Sequence, residues 1–194
     1  AVEQLKPNQP FAARLLGIDL VLWMSEDGIV AWQDLCVHRG ARLSLGQVVD
    51  NCLHCPYHGW VYNQDGRCVR IPAHPEQTPP QKAQTKKFQA RIKHDLVWVC
   101  MGEPHHSIPE FAEWDDPEYR NIMSGPYEFM AMGPRVIENF LDVSHFPFVH
   151  EGSLGDPAHP EIADYEATFD ERGVTAEGIS VWQPDPDGTG TGAH

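Results

Sequence analysis

Short apolar or alternating runs, each closed by turn residues, dominate the first hundred positions of the chain. Arg14 to Ser25 and Gly28 to Cys36 read as two strands, with Glu26-Asp27-Gly28 as the turn between them. Val48 to Cys55 and Gly59 to Tyr62 follow as further strands, and Asn63-Gln64-Asp65-Gly66 turns the chain into Arg67 to Ile71. Beyond a proline-rich loop (Pro72 to Pro80), Phe88 to Ile92 and Leu96 to Met101 form a hairpin around Lys93-His94-Asp95. Seven short strands with turn signals between them predict a compact all-β domain over residues 1–105.

The pattern changes after that point. Residues 106–127 are rich in Pro, Asp and Glu and read as a linker. A helix is expected from Pro134, well placed as a first-turn proline, to about Phe146, where Pro147 should bend or end it. Ile162 to Phe169 and Gly173 to Trp182 look like strands, and Asp187 to Gly192 is a turn-rich tail. One helix and two strands cannot close a core by themselves. Residues 128–194 therefore read as the truncated start of an α+β domain, a helix set against an antiparallel sheet.

Composition narrows the function. The 194 residues are 41% hydrophobic and 22% charged, ordinary for a globular chain. With 28 acidic against 14 basic residues the net charge is −14, which repels a phosphate backbone and argues against nucleic acid. The apolar run Leu96 to Met101 is far too short to span a bilayer, and no charged start leads into an apolar segment. No membrane attachment and a cytoplasmic location are expected. Five cysteines make no disulfide framework, but 11 histidines, several close to cysteines, suggest metal.

Two loops carry the first candidate chemistry. Asp34-Leu-Cys36-Val-His38-Arg-Gly40 and Cys55-Pro-Tyr-His58-Gly-Trp60 each follow a strand and each bring one thiol and one imidazole. Thiolates suit an iron bound to bridging sulfide, and imidazoles on the second iron raise the reduction potential. Spacing alone leaves alternatives open. Cys52-Leu-His54 repeats the Cys-x-His pattern, and Cys52-x2-Cys55 with Cys36 and a histidine could hold tetrahedral zinc.

The paired motif, with sixteen residues between His38 and Cys55, resembles the Rieske domain of ring-hydroxylating oxygenase large subunits, and the likeness spans about residues 10 to 155. The resemblance implies a [2Fe-2S] cluster with Cys36 and Cys55 on one iron and His38 and His58 on the other. Rieske proteins of the cytochrome-bc type carry an extra cysteine in each loop and a serine after the His-Gly pair. This chain has Ala41, Tyr57 and Trp60 there, which implies fewer hydrogen bonds to the cluster and a lower potential.

The second candidate is Asp142-x2-His145-x4-His150. Asp142 and His145 share a helix face, but His145 and His150 lie about 140° apart on a straight helix. They converge only if the helix unwinds, and Pro147 sits where that must happen. Two His and a carboxylate form the facial triad of non-haem Fe(II) oxygenases. The stretch Glu138 to His150 resembles the mononuclear-iron motif of the same family. That resemblance gives iron to His145 and His150, and makes Asp142 a bridge to the residue equivalent to His58 in a neighbouring subunit. It places a third, carboxylate ligand beyond this chain. Asp156, Glu161 and Asp164 are read as solvated loop carboxylates.

The family implies a terminal oxygenase that takes O2, and electrons ultimately from NAD(P)H through a reductase or ferredoxin. It further implies a small aromatic or heterocyclic substrate and a homotrimer or larger ring. A monooxygenase or demethylase resembles the motifs more closely than a cis-dihydroxylating dioxygenase does. A Rieske ferredoxin-type electron carrier is the rival from another class, and it has no use for Asp142, His145 and His150. Cys68 and Cys100 are expected to pack as small apolar groups, and His74, His105, His106 and His159 to lie in exposed loops. Trp60 is either a cover for the cluster or a core residue.

Overall fold

The computed structural model describes residues 1–125, 127–171, 173–186, 188 and 190. The chain divides into two compact units, Ala1–Ile122 and Met123–His194. The first holds a five-stranded antiparallel sheet in the order β1 (Phe11–Leu15), β2 (Ile18–Ser25), β3 (Gly28–Gln33), β8 (Lys87–Lys93), β9 (Leu96–Cys100). A smaller antiparallel sheet runs β4 (Gln47–Val49), β5 (Cys52–His54), β6 (Val61–Tyr62), β7 (Cys68–Arg70).

Two segments expected as single strands are each two strands folded back. Leu16 and Gly17 have φ of 49° and 80°, and Asp50 and Asn51 have φ of 48° and 57°. Two consecutive left-handed residues make the tight turn whose twist suits a two-residue hairpin. They split Arg14–Ser25 into β1 and β2, and Val48–Cys55 into β4 and β5. The first turn was hidden because apolar Leu16 looks like strand, yet it sits 82% exposed at the tip. His94 and Asp95 (φ 52° and 53°) build the same turn between β8 and β9, where it was expected.

Strand β2 explains the core. Val21 and Trp23 point to one side and Leu20 and Leu22 to the other, and all four are buried. On the first side they pack with Val30, Trp32, Leu43, Val48, Leu53, Tyr62, Ile71 and the thiols Cys36, Cys55 and Cys68. On the other side Leu20, Leu22, Ala31 and Phe88 form a second cluster. A strand buried on both faces reads as a continuous apolar run instead of an alternation. Trp32 meets Trp23 edge-on at 5.4 Å and Tyr62 at 6.4 Å, so aromatic packing ties the large sheet to β6.

Much of the acidic stretch after β9 is tied to this unit. Lys93 pairs with Glu110 at 2.8 Å and reaches the Ile108 carbonyl, while His94 lies 6.0 Å from Phe111 and 5.6 Å from Trp114.

The second unit contains helix α1 (Gly133–Leu141), the one-turn helix α2 (Phe146–Val149) and the hairpin β10 (Glu166–Asp170) with β11 (Gly173–Glu177). Helix α1 ends earlier than expected, at Leu141, because Asp142 turns extended (φ −86°, ψ 115°). Pro147 does not break a helix but begins one, in the first turn of α2, where its missing N–H costs nothing. The hairpin strands are shorter than predicted. Residues 187, 189, 191 and 192 of the expected tail lie outside the described residues.

Candidate metal centres

The two cysteine loops share one backbone design. In the first, the Cys36 N–H donates to the Ala41 carbonyl (2.8 Å) and the Gly40 N–H donates back to the Cys36 carbonyl (2.8 Å). In the second, Cys55 donates to Trp60 (2.9 Å) and Gly59 to Cys55 (3.0 Å). Gly40 and Gly59 stand four residues after their cysteines with φ of 73° and 68°, the conformation that closes such a loop and favours glycine. The repeated loops point both thiols inward, where Cys36 is 2% and Cys55 is 3% exposed. The histidines stay outward, with His38 half-buried and His58 exposed.

The donors pair two and two. Cys36 and Cys55 lie in one buried cluster, where Cys36 helps to raise the Cys55 pKa, and the His38 and His58 rings are 4.6 Å apart. That division suits a cluster in which one iron takes two sulfurs and the other two nitrogens. Among the described residues no three such donors gather as a single ion would require. Cys52 of the zinc alternative sits on β5, outside the buried cluster that holds Cys36 and Cys55.

The chemistry of these groups fits a bound cluster. His38 Nδ1 is buried and has no hydrogen-bond partner, a costly state for a polar atom that coordination would relieve. Burial, then the neighbouring His58 and Arg39, lower the His38 pKa, so the ring stays neutral with a lone pair to donate. Burial pushes the Cys55 thiol up, while the N–H groups of Tyr57 and His58 work against that rise by donating to its sulfur. Nearby iron would offset the remaining cost of a buried thiolate.

Sequence reasoning missed two contributors, Tyr62 and Asp34, and left Trp60 open between cover and core. Tyr62 Oη lies 3.2 Å from Cys36 Sγ, and burial followed by that contact raises its pKa strongly, which keeps the phenol protonated and able to donate to a Cys36 thiolate. Asp34, buried just before the first loop, accepts the Ser44 N–H at 2.7 Å and its hydroxyl at 2.6 Å, so one carboxylate ties the two ends of the loop together. No signal along the chain marked Asp34, because folding alone brings Ser44 beside it. Trp60 lies flat on His38, with centroids 4.4 Å apart and planes 5° apart, so it covers a ligand candidate as well as bordering the core.

In the second unit, His145 and His150 flank the single turn of α2, and their rings are 5.3 Å apart. The expected unwinding between the histidines does not occur: the chain opens at Asp142–Ser144, before His145, and the helical turn of α2, with Pro147 in it, joins His145 to His150. Asp142 Oδ2 lies 3.4 Å from His145 Nδ1. Its Oδ1 accepts the Ser144 N–H at 2.8 Å and also the Ser144 hydroxyl. Those Ser144 bonds, the hydroxyl first, hold the Asp142 carboxyl below its ordinary value. His159 lies in an exposed loop, as expected, and stacks there on Trp182 at 4.5 Å.

A family model for the Rieske [2Fe-2S] domain matches residues 1–89, and one for the vanillate O-demethylase oxygenase C-terminal domain matches residues 130–189. The chain belongs to the Rieske oxygenase family. It is 41% identical over 164 residues to methylxanthine N1-demethylase NdmA of Pseudomonas putida, covering 82% of this chain and 47% of that protein. The solved structure of NdmA superposes with a TM-score of 0.80 at 35% identity, over 91% of this chain and 54% of that one. The oxygenase component of dicamba O-demethylase from Stenotrophomonas maltophilia is 32% identical over 80% of this chain and 47% of its own length. This Rieske oxygenase chain therefore spans about half the length of those relatives. A 104-residue segment is also 41% identical to the oxidoreductase NdmD of Pseudomonas putida, over 53% of this chain and 18% of that protein.

Proposed function

We propose that this chain is part of the terminal oxygenase component of a Rieske system that demethylates or hydroxylates a small aromatic or heterocyclic molecule. It uses O2 and electrons from NAD(P)H relayed by a reductase or ferredoxin. Residues 1–105 form the Rieske domain, 106–127 the linker and 128–194 the first part of the catalytic domain. Cys36 and Cys55 hold one iron of the cluster and His38 and His58 the other. His145 and His150 hold a mononuclear Fe(II), whose third ligand is a carboxylate outside this chain. One observation carries the reading beyond an electron carrier: two imidazoles face each other across a single helical turn, with Asp142 against one of them.

When bound, the cluster supplies single electrons and the mononuclear iron supplies open positions for O2. The protein's residues do the rest. Trp60 lies flat on the His38 ring and keeps water from that face, and Tyr62 donates to the Cys36 sulfur. Asp142, held by Ser144, orients the His145 ring through Nδ1, as carboxylates behind metal ligands do. In a homotrimer or larger ring, Asp142 also reaches His58 of the partner subunit. Demethylation is favoured over ring dihydroxylation because both oxygenase relatives are named for demethylation. The NdmD segment supports a reductase partner. A cytoplasmic setting agrees with five free cysteines, and among the described residues no helix is long and apolar enough to cross a membrane.

Metal and sulfide counting tests this reading. The intact protein should hold three irons and two acid-labile sulfides per chain, and should release formaldehyde from an N- or O-methyl aromatic when supplied with a reductase and NAD(P)H. Two irons per two sulfides would indicate a carrier. A cis-diol product without formaldehyde would indicate the dioxygenase.

A further inference from the structure

Only two residues of the second unit are buried among those described, Pro147 and Gly155, and they are packed against each other. After His150 the chain turns sharply. The His150 carbonyl accepts the N–H groups of Ser153 (3.1 Å) and Leu154 (3.0 Å) and the Ser153 hydroxyl (3.1 Å). The Gly152 N–H then donates to the Gly155 carbonyl at 2.9 Å, and a parallel bridge joins Glu151 to Gly155. The loop thus comes back to rest on the middle of the turn that separates His145 from His150.

At the point of contact there is no room for a side chain. A Cβ on Gly155 would stand 2.7 Å from both the Cα and the N of Pro147, and 3.0 Å from the carbonyl carbon of Phe146. These are backbone atoms, so no rotamer change can move them aside. The Pro147 ring fixes its own φ, which removes another way for the turn to yield. Pro147 lies between the two histidines. A push on it must shift His145, His150 or both.

We propose that Gly155 is a positioning residue for the iron ligands: lacking a side chain, it seats the 150–155 loop on the Phe146–Pro147 backbone and so sets the separation of the two imidazoles. The inference rests on the assignment of iron to His145 and His150. It predicts that substitution at 155 weakens mononuclear iron alone, because the cluster ligands are built on loops of the first unit.

The test uses the intact protein with its cluster assembled, titrated with Fe(II) while iron is counted against acid-labile sulfide. A wild type that holds only two irons per two sulfides overturns the iron assignment, and the inference with it. Where wild type holds three, Gly155→Ala should keep two sulfides and bind the third iron about 10- to 100-fold more weakly, the usual cost of disturbing the residues behind metal ligands. Unchanged affinity overturns the positioning role. At saturating iron, the nitric oxide adduct of the variant should show altered rhombicity in its electron paramagnetic resonance signal. A wild-type signal would mean that the glycine serves folding only. If Gly155→Ala loses its sulfide through misfolding, Ser153→Ala provides the same reading without a clash. It removes one donor to the His150 carbonyl and should weaken the third iron a few-fold; full affinity there overturns the proposal.

Discussion

Cys36 and Cys55 sit within the larger buried cluster of their unit, beneath two sheets and beside Tyr62, whereas Asp142, His145 and His150 stand on a segment where only Pro147 and Gly155 are buried among the described residues. The first pair of loops is held by tertiary packing, a buried carboxylate clamp and a matching set of backbone bonds. The second set of candidate residues is held by neighbours in sequence: Ser144 on Asp142, α2 between the histidines, and the loop that returns to Pro147. A site supported by a closed core is preformed, and its ligands tolerate little movement. A site supported by local turns depends on a few short-range contacts, each of which can be removed singly. The contrast predicts that damage in the first unit spreads to the whole fold there, while damage in the second stays with its own metal.

Four changes would break or sharpen that contrast. The largest effect is expected from Cys55→Ala, which should abolish the cluster with all acid-labile sulfide while leaving one iron per chain in the second unit. Loss of that iron too would show that the two regions are not independent.

Next comes Asp142→Asn. With Fe(II) saturating, it should keep cluster and mononuclear iron yet lower product formation by about 10- to 100-fold, the range for loss of a carboxylate behind a metal ligand. Retained turnover would remove its role. The pH dependence follows from the sign of its shift. Its folded pKa lies below the ordinary value of 3.8, so its interactions are present above that range and fade only as pH falls through the lowered value. The ratio of wild-type to Asp142→Asn turnover should therefore stay constant between about pH 5 and 8, above the lowered Asp142 range. A ratio that closes toward pH 5 would show the wild-type carboxyl taking up a proton there.

A smaller change is expected from Asp34→Ala. It leaves the Ser44 N–H and hydroxyl without their acceptor at the base of the first cysteine loop, at a cost of about 2 kcal/mol. Denaturant unfolding of the cluster-loaded protein would measure it, and a midpoint within error of wild type would show that the clamp is dispensable. The smallest is Tyr62→Phe, which should keep the cluster but lower its potential by on the order of 50 mV, about 1 kcal/mol for one electron. An unchanged potential in a protein-film or dye titration would show that the 3.2 Å contact to Cys36 does not favour the reduced state.

Much of this was legible before any coordinates. The alternation of apolar runs and turns announced the β unit, and Cys36-x-His38 with Cys55-x2-His58 announced two matching loops, because a fixed number of residues in a tight loop leaves few ways to present a thiol and an imidazole. The misreadings share a cause. Leu16 and Asp50-Asn51 turned the chain inside stretches that looked continuous, since apolar content does not reveal which residues adopt positive φ. Pro147 was read as a breaker although a helix accepts proline in its first turn, and a local rule could not tell which side of the proline was helical. Asp34, Tyr62 and Gly155 were invisible for a different reason: each acts on residues that only folding brings next to it.

By itself, then, the amino-acid order determined which candidate metal ligands the chain carries and roughly where they stand. Ligand identity is a property of side-chain chemistry and short spacing, and both are written locally. Tertiary structure decided how the ligands are supported: which phenol meets the Cys36 sulfur, which ring covers His38, and which glycine rests on Pro147. Those contacts join residues as far apart as Cys36 and Tyr62, whose closeness is set by the packing of two sheets, and no pattern along the chain encodes that distance.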